Sequence, residues 1–361
     1  MKILNISLDK SVVDKNSAVA RRVVAYGNLV DQYTVLVLAD VSTQIYLSDK
    51  TKVIAVKKSF CKLWNWFKLK AVARMILQEK FDLITVQDVY FVGLIALLMS
   101  KKFHIGLEVQ VHGFEKFSGL RKILSQYILV RTPAIRVVSN RLRDLLINRF
   151  KVPEAKITVA PIYVAPLVSK STRFHHKHDK FILLTVGRLV SVKNINMQIA
   201  AMQKLSEAKL RQPIELWIVG DGPEKANLKT AARLLKVDGS IRFFSWQKNL
   251  EKFYTQADIF LLTSDSEGWA MAAVEAASFG LPIIMTNVGL AEEVIKDGDS
   301  GIVIAPGDTQ ALTQNIIKLI NDESLRKKLS INAVNAVKQL PTQEEIWRLY
   351  RQSWHKASAH H

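Results

Sequence analysis

The stretch SDSEGWAMAAVEAASFGLP, residues 264–282, carries two glutamates eight positions apart, separated mainly by small apolar residues. It continues the apolar run 257–264, which predicts a buried strand, and its own pattern predicts a helix from about Trp269 to Phe279. A carboxylate beside a buried helix is costly unless other groups donate hydrogen bonds to it. In open α/β sheets, ligands bind where strands end. The stretch therefore predicts an α/β fold with a ligand site at the end of this strand.

Similar alternation of short apolar runs and helical patterns extends over the chain, which is typical of βαβ units. The predicted strands are 2–8, 33–39, 52–56, 82–87, 104–110, 134–139, 156–161, 180–187, 214–220, 240–245, 257–264, 281–286 and 301–306. The predicted helices are 17–30, 68–80, 89–102, 140–150, 196–210, 224–236 and 309–321. We expect an α/β protein with two Rossmann-like, doubly wound domains facing a cleft.

The length of 361 residues also favours two domains over one. The predicted segments are an N-terminal domain (1–165), a polar and basic linker (166–180), a second domain (181–340), a C-terminal helix packing on the first domain (341–356) and a tag remnant (357–361). The linker contains His175, His176 and His178, which could bind a metal. Because they lie in a linker, we expect no metal site there.

Composition excludes several protein classes. The 49% hydrophobic and 23% charged residues are typical of a folded, soluble protein. The single cysteine, Cys61, cannot form an internal disulfide and fits a reducing compartment. The N-terminus resembles a strand rather than a signal peptide, and the apolar run 89–99 is shorter than the ~20 residues that span a bilayer. We therefore expect a cytoplasmic protein without a membrane span.

The net charge of +19 is concentrated in the first half, with +16 on residues 1–179 and +3 on residues 180–361. Such asymmetry favours an anionic partner for the first half. The segment 56–75 mixes basic and aromatic residues: Lys57, Lys58, Lys62, Lys68, Lys70 and Arg74 with Phe60, Trp64, Trp66 and Phe67. This mixture suits an anionic bilayer surface, single-stranded nucleic acid, or a buried helix face with solvated lysines. The local charge favours the bilayer, and we expect no nucleic acid partner.

Four loops of the second half follow predicted strands. In VGRLVSVKN (186–194), Arg188 and Lys193 suit a diphosphate group, although both could be solvated surface charges. VGDGPE (219–224) is typical of a tight turn before a helix. In the loop from Val288 to Ala291 a glycine makes a turn, and a helix is expected to begin at one of the two glutamates that follow, Glu292 or Glu293.

The remaining loop is the opening stretch. The amides of Gly268, Trp269 and Ala270 stand at a predicted helix start, where unpaired N–H groups can bind phosphate. Glu267 and Glu275 can each accept hydrogen bonds from ligand hydroxyls. The alternative is that Glu275 is an acid at the edge of the core, paired with a lysine or arginine.

Together these loops resemble the nucleotide-sugar-binding domain of family 4 glycosyltransferases, which have the GT-B fold. The resemblance covers about residues 180–335 and is carried by VGRLVSVKN, IVGDGPE, SEGWAMAAVEAASFGLPII and VGLAEEVIKDGDSGIVIAPGD. The Glu-x7-Glu pair of the family would be Glu267 and Glu275, with Glu275 on the nucleotide ribose and Glu267 on the donor sugar. Arg188 and Lys193 would neutralise the diphosphate without a metal. The donor would also contact Gly187, Gly268, Trp269 and Ala270, the last standing where the family often has glycine.

In the first half, EVQVHGFE (108–115) is similar to the strand of this family that ends in His-Gly, which implies that His112 lies against the donor sugar. The resemblance implies a retaining, metal-independent transferase that needs no cofactor. It would move a hexose from a GDP- or UDP-linked donor to a glycan or lipid-linked acceptor on the cytoplasmic face of the cell membrane. A sugar-nucleotide epimerase of the same architecture, a transferase that binds without turnover and a basic nucleic-acid-binding protein remain alternatives.

Overall fold

The computed structural model describes residues 1–113, 119–165, 179–208, 210 and 212–359. The chain divides into two compact units: unit 1 comprises Met1–Pro161 and Thr342–His361, and unit 2 comprises Ile162–Pro341. Most of the predicted linker, 166–180, lies outside the described residues, as do its three histidines, His175, His176 and His178. The C-terminal segment therefore belongs to the same unit as the N-terminal one.

Unit 1 is built on an eight-stranded sheet in the order β3-β4-β2-β1-β5-β6-β7-β8. Its strands are β1 (Lys2–Ser7), β2 (Gln32–Ala39), β3 (Thr43–Ser48), β4 (Thr51–Lys57), β5 (Leu83–Val86), β6 (Gly106–Val111), β7 (Ala134–Val137) and β8 (Ile157–Val159). All pairings are parallel except that of β3 with β4. The central strands β5, β6 and β7 are buried throughout, as expected for parallel strands covered on both faces.

Five helices connect these strands: α1 (Ala18–Gly27), α2 (Lys62–Ile76), α3 (Phe91–Phe103), α4 (Gly119–Arg131) and α5 (Asn140–Phe150). Ser17 caps α1 by accepting a hydrogen bond from the Ala20 amide at 2.9 Å. Helix α3 packs against both α2 and α4. Because the connections through α2, α3 and α4 all run in the same direction across the sheet, right-handed crossovers place the three helices on one face.

Unit 2 has a six-stranded, entirely parallel sheet in the order β11-β10-β9-β12-β13-β14. Its strands are β9 (Phe181–Val186), β10 (Ile214–Val219), β11 (Ile241–Phe244), β12 (Ile259–Leu262), β13 (Ile283–Thr286) and β14 (Ile302–Ile304). Its helices are α6 (Ile195–Glu207), α7 (Lys225–Leu234), α8 (Glu251–Gln256), α9 (Met271–Ser278), α10 (Thr309–Asn321) and α11 (Glu323–Lys338). Strand and helix residues such as Leu183, Ile218 and Leu312 form one buried core.

The C-terminal helix α12 (Gln343–Ser358) packs on β6, β7 and β8 of unit 1. It begins with a capping box formed by Thr342 and Glu345. Trp354 is 1% exposed. Near the other end, a Cβ on Gly106 would lie 2.7 Å from the backbone oxygen of Ala357, so the strand meets the helix at close range. This buried contact explains why the helix continues to Ser358 rather than ending at residue 356.

The structure confirms two Rossmann-like units with parallel sheets, but several elements differ from our expectations. The antiparallel edge strand β3 and helices α4, α8 and α11 were not predicted, and α2 begins at Lys62 rather than residue 68. The helix expected at Glu292 or Glu293 is a turn, in which Glu292 has φ 63° and its amide donates to the Ile295 oxygen at 2.8 Å. Within the described residues, no helix is long and apolar enough to cross a membrane.

Candidate functional site

The candidate site lies in unit 2, at the edge where the carboxyl ends of its parallel strands meet. Backbone hydrogen bonds join the loops that follow these strands. The Leu189 amide donates to the Asp221 oxygen at 2.9 Å, and the Asp265 amide donates to the Val192 oxygen at 2.8 Å. The Leu290 amide donates to the Trp269 oxygen at 3.2 Å. The four loops identified in the sequence therefore form one connected surface at the position where such sheets bind ligands.

Three glycines allow these loops to approach one another. A Cβ on Gly220 would lie 1.9 Å from the Gly187 oxygen, and a Cβ on Gly222 would lie 2.3 Å from the Leu189 oxygen. Gly289 has φ 59°, and its Cβ would lie 2.9 Å from the Trp269 oxygen. No side chain fits at these contacts. The glycines of VGDGPE and VGLAEE therefore have a structural role, because they allow the loops of the site to pack against one another.

Glu267 is held by two donors. The Lys193 ammonium and the Ser264 hydroxyl both donate to its Oε1, the latter at 2.6 Å. Lys193 ends a short helical turn, Ser191–Lys193, before Asn194 takes a left-handed conformation with φ 44°. Within the described part of the chain, no hydrogen bond reaches Oε2 of Glu267. The second carboxylate oxygen is therefore left to accept a hydrogen bond from a ligand.

Glu275 is half-buried on α9 and accepts a hydrogen bond from the Tyr254 hydroxyl at 2.6 Å. Burial raises the pKa of Glu275 from its ordinary value, and the Tyr254 hydrogen bond partly opposes that rise. Among the described residues no lysine or arginine pairs with Glu275, so the ion-paired alternative finds no partner there.

Tyr254 was not predicted as part of the site. Its ring is 0% exposed and stacks on Phe279 with centroids 5.3 Å apart. It lies on α8, a helix that the sequence pattern did not reveal, and a tyrosine beside a phenylalanine in the short polar segment EKFYTQ looks like an ordinary core residue. A buried hydroxyl needs a partner, and Glu275, an acid on a buried helix with no protein partner assigned to it, was the signal that could have identified Tyr254.

Arg188 lies two residues beyond the end of β9 and is exposed. Arg188 and Lys193 line a small depression together with Gly187, Thr263 and Ser264. Whereas Lys193 is engaged with Glu267, Arg188 forms no ion pair with any residue that the structure describes. The Arg188 guanidinium is therefore available to a phosphate group.

Helix α9 begins at Met271, two residues later than expected, because Ala270 takes a left-handed conformation with φ 75° and ψ 60°. Gly268, Trp269 and Ala270 precede the helix, and all three are buried. The first helical amides, those of Met271 and Ala272, have no intrahelical acceptor at this position. They give the helix start its capacity to bind an anion.

The left-handed alanine leads to a stability prediction. An L-residue with a Cβ in this region is strained by ~1–2 kcal/mol, whereas glycine is not. Glycine also makes the unfolded chain more flexible, which offsets ~0.4–1 kcal/mol of the gain. We expect Ala270→Gly to leave the melting temperature unchanged or raise it slightly. Ala273→Gly, a matched change inside α9, should lower it, and equal losses in thermal unfolding would contradict this assignment.

His112 lies in unit 1, immediately after β6, and is half-buried. Its Nε2 is 3.2 Å from Oε1 of Gln110. Burial, together with the charges of Arg136 and Arg22, lowers the pKa of His112 to about 3. The imidazole is therefore neutral near pH 7 and can form hydrogen bonds without carrying charge.

The basic and aromatic segment predicted for a membrane falls largely on α2. Lys57, Lys58, Lys62 and Trp64 are exposed, and Lys68 is half-buried. Trp66 instead donates its indole N–H to the Phe91 oxygen at 3.1 Å and lies under the Lys70 ammonium. The exposed apolar surface of α2 therefore comes from Leu63, Trp64, Phe67 and Met75.

A second exposed apolar stripe runs along α4, which we did not predict as a helix. Leu120, Ile123, Tyr127 and Val130 are 85%, 66%, 42% and 37% exposed. Their spacing follows the helical period, a signal that was present in the sequence. Neither α2 nor α4 contains an acidic residue. Within the described residues, no group of three or more histidine, cysteine, aspartate or glutamate side chains could hold a metal ion.

Comparison with curated proteins reveals similarity to glycosyltransferases of polysaccharide synthesis. The chain is 29% identical over 152 residues to the Rhizobium meliloti lipopolysaccharide core biosynthesis glycosyltransferase LpsE, covering 42% of this chain and 43% of LpsE. It is 24% identical over 334 residues to the Escherichia coli UDP-Gal:alpha-D-GlcNAc-diphosphoundecaprenol alpha-1,3-galactosyltransferase, covering 84% and 85% of the two chains. With LpsE the similarity thus spans less than half of the relative.

Solved structures show the same fold over nearly the whole chain. Sucrose-phosphate synthase from Thermosynechococcus elongatus superposes with a TM-score of 0.80 at 18% identity, covering 98% of both chains. Anabaena HepE in complex with UDP and glucose gives a TM-score of 0.78 at 17% identity, covering 98% and 99%. Residues 34–164 match glycosyltransferase family 4, and residues 169–336 match the glycosyl transferases group 1. These matches span most of both units, and the chain belongs to the family 4, group 1 glycosyltransferases.

Proposed function

We propose that the chain is a retaining glycosyltransferase that needs no metal and moves a hexose from a UDP- or GDP-linked donor to a lipid-linked or glycan acceptor. The bond between the sugar anomeric carbon and the diphosphate oxygen breaks, and its electron pair leaves with the diphosphate. A new bond forms between that carbon and the oxygen of an acceptor hydroxyl, whose proton passes to the departing diphosphate. Retention of configuration follows from the family resemblance and is tested by the anomeric signal of the product.

One observation carries this proposal: two carboxylates with open oxygens share a sheet edge with a guanidinium, that of Arg188, which forms no ion pair in the part of the chain that the structure describes. Glu267 Oε2 and Glu275 Oε1 accept no hydrogen bond within the described residues. Such oxygens suit sugar and ribose hydroxyls, while Arg188 suits phosphate. The similar Escherichia coli galactosyltransferase is named for a UDP-Gal donor, and the similar HepE structure holds UDP and glucose. Both favour a UDP-linked donor for this chain.

The proposal is tested by calorimetry with UDP, GDP, ADP and dTDP, and with their common sugar derivatives, in the presence of EDTA. We expect one nucleotide to bind the wild type and to bind Glu275→Ala at least ten-fold more weakly. Glu251→Ala removes an exposed carboxylate of the same unit and should bind as the wild type does. Failure of every nucleotide to bind would overturn the site assignment. Isomerisation of the donor sugar without acceptor would favour the epimerase.

Tyr254→Phe should weaken nucleotide binding and make it more sensitive to acid. Glu275 accepts a hydrogen bond from a ribose hydroxyl more strongly when it is ionised than when it is protonated, and burial raises its pKa. The hydrogen bond from the Tyr254 hydroxyl lowers the pKa of Glu275, so removing this hydroxyl raises that pKa further. Loss of affinity on acidification should therefore begin at a higher pH in Tyr254→Phe than in the wild type. Calorimetric titrations between pH 5 and pH 8 check this, and superimposable pH profiles would contradict it.

We further propose that unit 1 binds the anionic surface of the membrane that carries the acceptor. Helices α2 and α4 lie on the same face of the sheet, and both expose apolar side chains among basic ones. An amphipathic helix with this composition binds anionic headgroups while its apolar face enters the interface. A second copy of this surface would bring like charges together, so the charge favours a bilayer over self-association.

The membrane proposal predicts a loss of binding on replacing two exposed aromatic residues of α2. Trp64 and Phe67 are 57% and 50% exposed, so Trp64→Ser with Phe67→Ser should preserve the fold and reduce sedimentation with anionic vesicles at least five-fold. Trp246→Ser is the control, because Trp246 is 64% exposed but belongs to unit 2. Equal sedimentation of the wild type with zwitterionic and anionic vesicles would overturn the proposal. Stronger binding to single-stranded oligonucleotides than to vesicles would also do so.

A further inference from the structure

Three polar residues alternate along the end of β6. Glu108, Gln110 and His112 occupy every second position, so their side chains lie on the same face of the sheet. Glu108 is 0% exposed and Gln110 is 7% exposed. Buried polar groups in such a row must satisfy one another, and the direction of each hydrogen bond is then determined by its neighbours.

The directions of the hydrogen bonds in this row are set by Glu108, because a carboxylate can only accept hydrogen bonds. Arg136 Nε donates to its Oε1 at 3.0 Å, and the Thr85 hydroxyl donates to its Oε2 at 2.6 Å. Two further donors come from the C-terminal helix α12: the Ser353 hydroxyl at 2.5 Å and the Trp354 indole N–H at 3.3 Å. Helix α12 therefore helps to hold the carboxylate in place.

Glu108 in turn fixes the amide of Gln110. The Gln110 Nε2 lies 2.6 Å from the Thr85 hydroxyl oxygen and 3.3 Å from Glu108 Oε2. Since Thr85 donates its hydrogen to Glu108, both of these oxygens can only accept from Gln110. A flipped amide would place its oxygen against two acceptors. The amide oxygen Oε1 must therefore face His112.

The orientation of this amide determines the tautomer of His112. Its Nε2 lies 3.2 Å from the Gln110 Oε1, and an amide oxygen can only accept, so Nε2 carries the hydrogen. The low pKa of His112 keeps the ring neutral, and a neutral ring has one N–H. Nδ1 is therefore an acceptor, and no side chain or backbone group of the described residues donates to it.

We propose that Gln110 is a positioning residue that fixes His112 in the Nε2–H tautomer, and that Glu108, held by Ser353 and Trp354 of α12, orients Gln110. Nδ1 of His112 then accepts a hydrogen bond from a sugar hydroxyl of the substrate, a role that rests on the proposed transferase function. The C-terminal helix thus helps to set the hydrogen-bonding capacity of His112 within unit 1 without itself touching the substrate.

The test is an NMR measurement of the His112 ring nitrogens in the full chain labelled with ¹⁵N-histidine. The His112 signals are assigned by their loss in His112→Asn. We expect the nitrogen coupled to both ring C–H protons, which is Nε2, to resonate as the protonated one. In Gln110→Met the preference should be lost, and both nitrogens should move towards intermediate frequencies. Gln110→Glu should retain it, because burial beside Glu108 keeps the new carboxyl group protonated. Its O–H then donates to the Thr85 and Glu108 oxygens in place of the amide N–H, and its other oxygen accepts from Nε2–H.

Steady-state kinetics provide a second measurement. With one neutral hydrogen bond weakened, Gln110→Met should raise the KM for the sugar donor by about ten-fold. Affinity for the nucleoside diphosphate alone should stay unchanged, and Gln110→Glu should restore most of the loss. If Gln110 only stabilised the fold, its replacement would not raise the KM for the sugar donor while leaving the affinity for the nucleoside diphosphate unchanged.

Two spectral outcomes would overturn the tautomer assignment: protonation of Nδ1 in the wild type, or an unchanged spectrum in Gln110→Met. If Gln110→Met fails to fold by circular dichroism, Gln110→Glu and the wild type still decide the question. Wild-type spectra as expected without any sugar transfer would overturn the proposed function and the substrate contact, but would support the role of Gln110. The two failures are therefore distinguishable.

Discussion

Replacing Arg188 with alanine is expected to lower kcat for sugar transfer by about 100- to 1,000-fold, the usual loss when one group that stabilises developing charge is removed. Charge accumulates on the diphosphate as its bond to the sugar breaks. Arg188 forms no ion pair within the described residues, whereas Lys193 is bound to Glu267. Arg188 is therefore the cation of this surface that is free to stabilise the departing group, and its loss should affect kcat more than KM.

The measurement is the initial rate of nucleoside diphosphate release with donor and acceptor present. Arg188→Lys keeps the charge but loses the paired N–H geometry, so it should retain more activity than Arg188→Ala. Arg233→Ala, an exposed arginine on α7 of the same unit, is the control and should be as active as the wild type. A kcat for Arg188→Ala within three-fold of the wild type would remove Arg188 from the proposed mechanism.

The sequence was most informative where period and composition agreed. Helix α10 occupies residues 309–321 as predicted, because its apolar spacing, its aspartate cap and the turn before it agree. Helix α9 was misplaced at its start, since nothing in local propensity marks Ala270 as left-handed. The contact of Gly289 with the Trp269 backbone accompanies that conformation, and it joins residues far apart in sequence.

In the candidate site too, some residues could be identified from the sequence and others could not. The two glutamates and the two cations could be identified because they lie in the loops and the helix that follow predicted strands, and because their motifs resemble those of a known family. Their partners could not: Tyr254 resembles an ordinary core residue, and the Lys193–Glu267 ion pair joins two different loops. Similarly, no pattern near Glu108 indicates that Ser353 and Trp354, on the last helix of the chain, donate to it. Such hydrogen-bond networks depend on the tertiary fold, which local sequence does not encode.

The network around Glu108 also predicts the largest loss of stability. Arg136 and Glu108 form an ion pair in which the two side chains are 3% and 0% exposed. Removing one partner of a buried pair leaves an uncompensated charge and costs ~3–5 kcal/mol. Arg136→Met keeps much of the side-chain volume and should lower the stability of unit 1 by about this amount. Arg242→Met breaks the pair of Arg242, which is 56% exposed, with Glu215 and should cost less than ~1 kcal/mol.

The pH dependence of this loss identifies its cause. Burial alone would raise the pKa of Glu108, but the charge and hydrogen bonds of Arg136 hold it below its ordinary value in the wild type. The carboxylate therefore stabilises the wild type above its unfolded pKa, and this contribution is lost as the pH falls through the folded pKa. In Arg136→Met burial dominates and raises the pKa of Glu108, so acid relieves the penalty by protonating it. The gap in melting temperature between the two proteins should therefore narrow from pH 7.5 to pH 5, whereas a constant gap would indicate lost packing around Tyr350 instead.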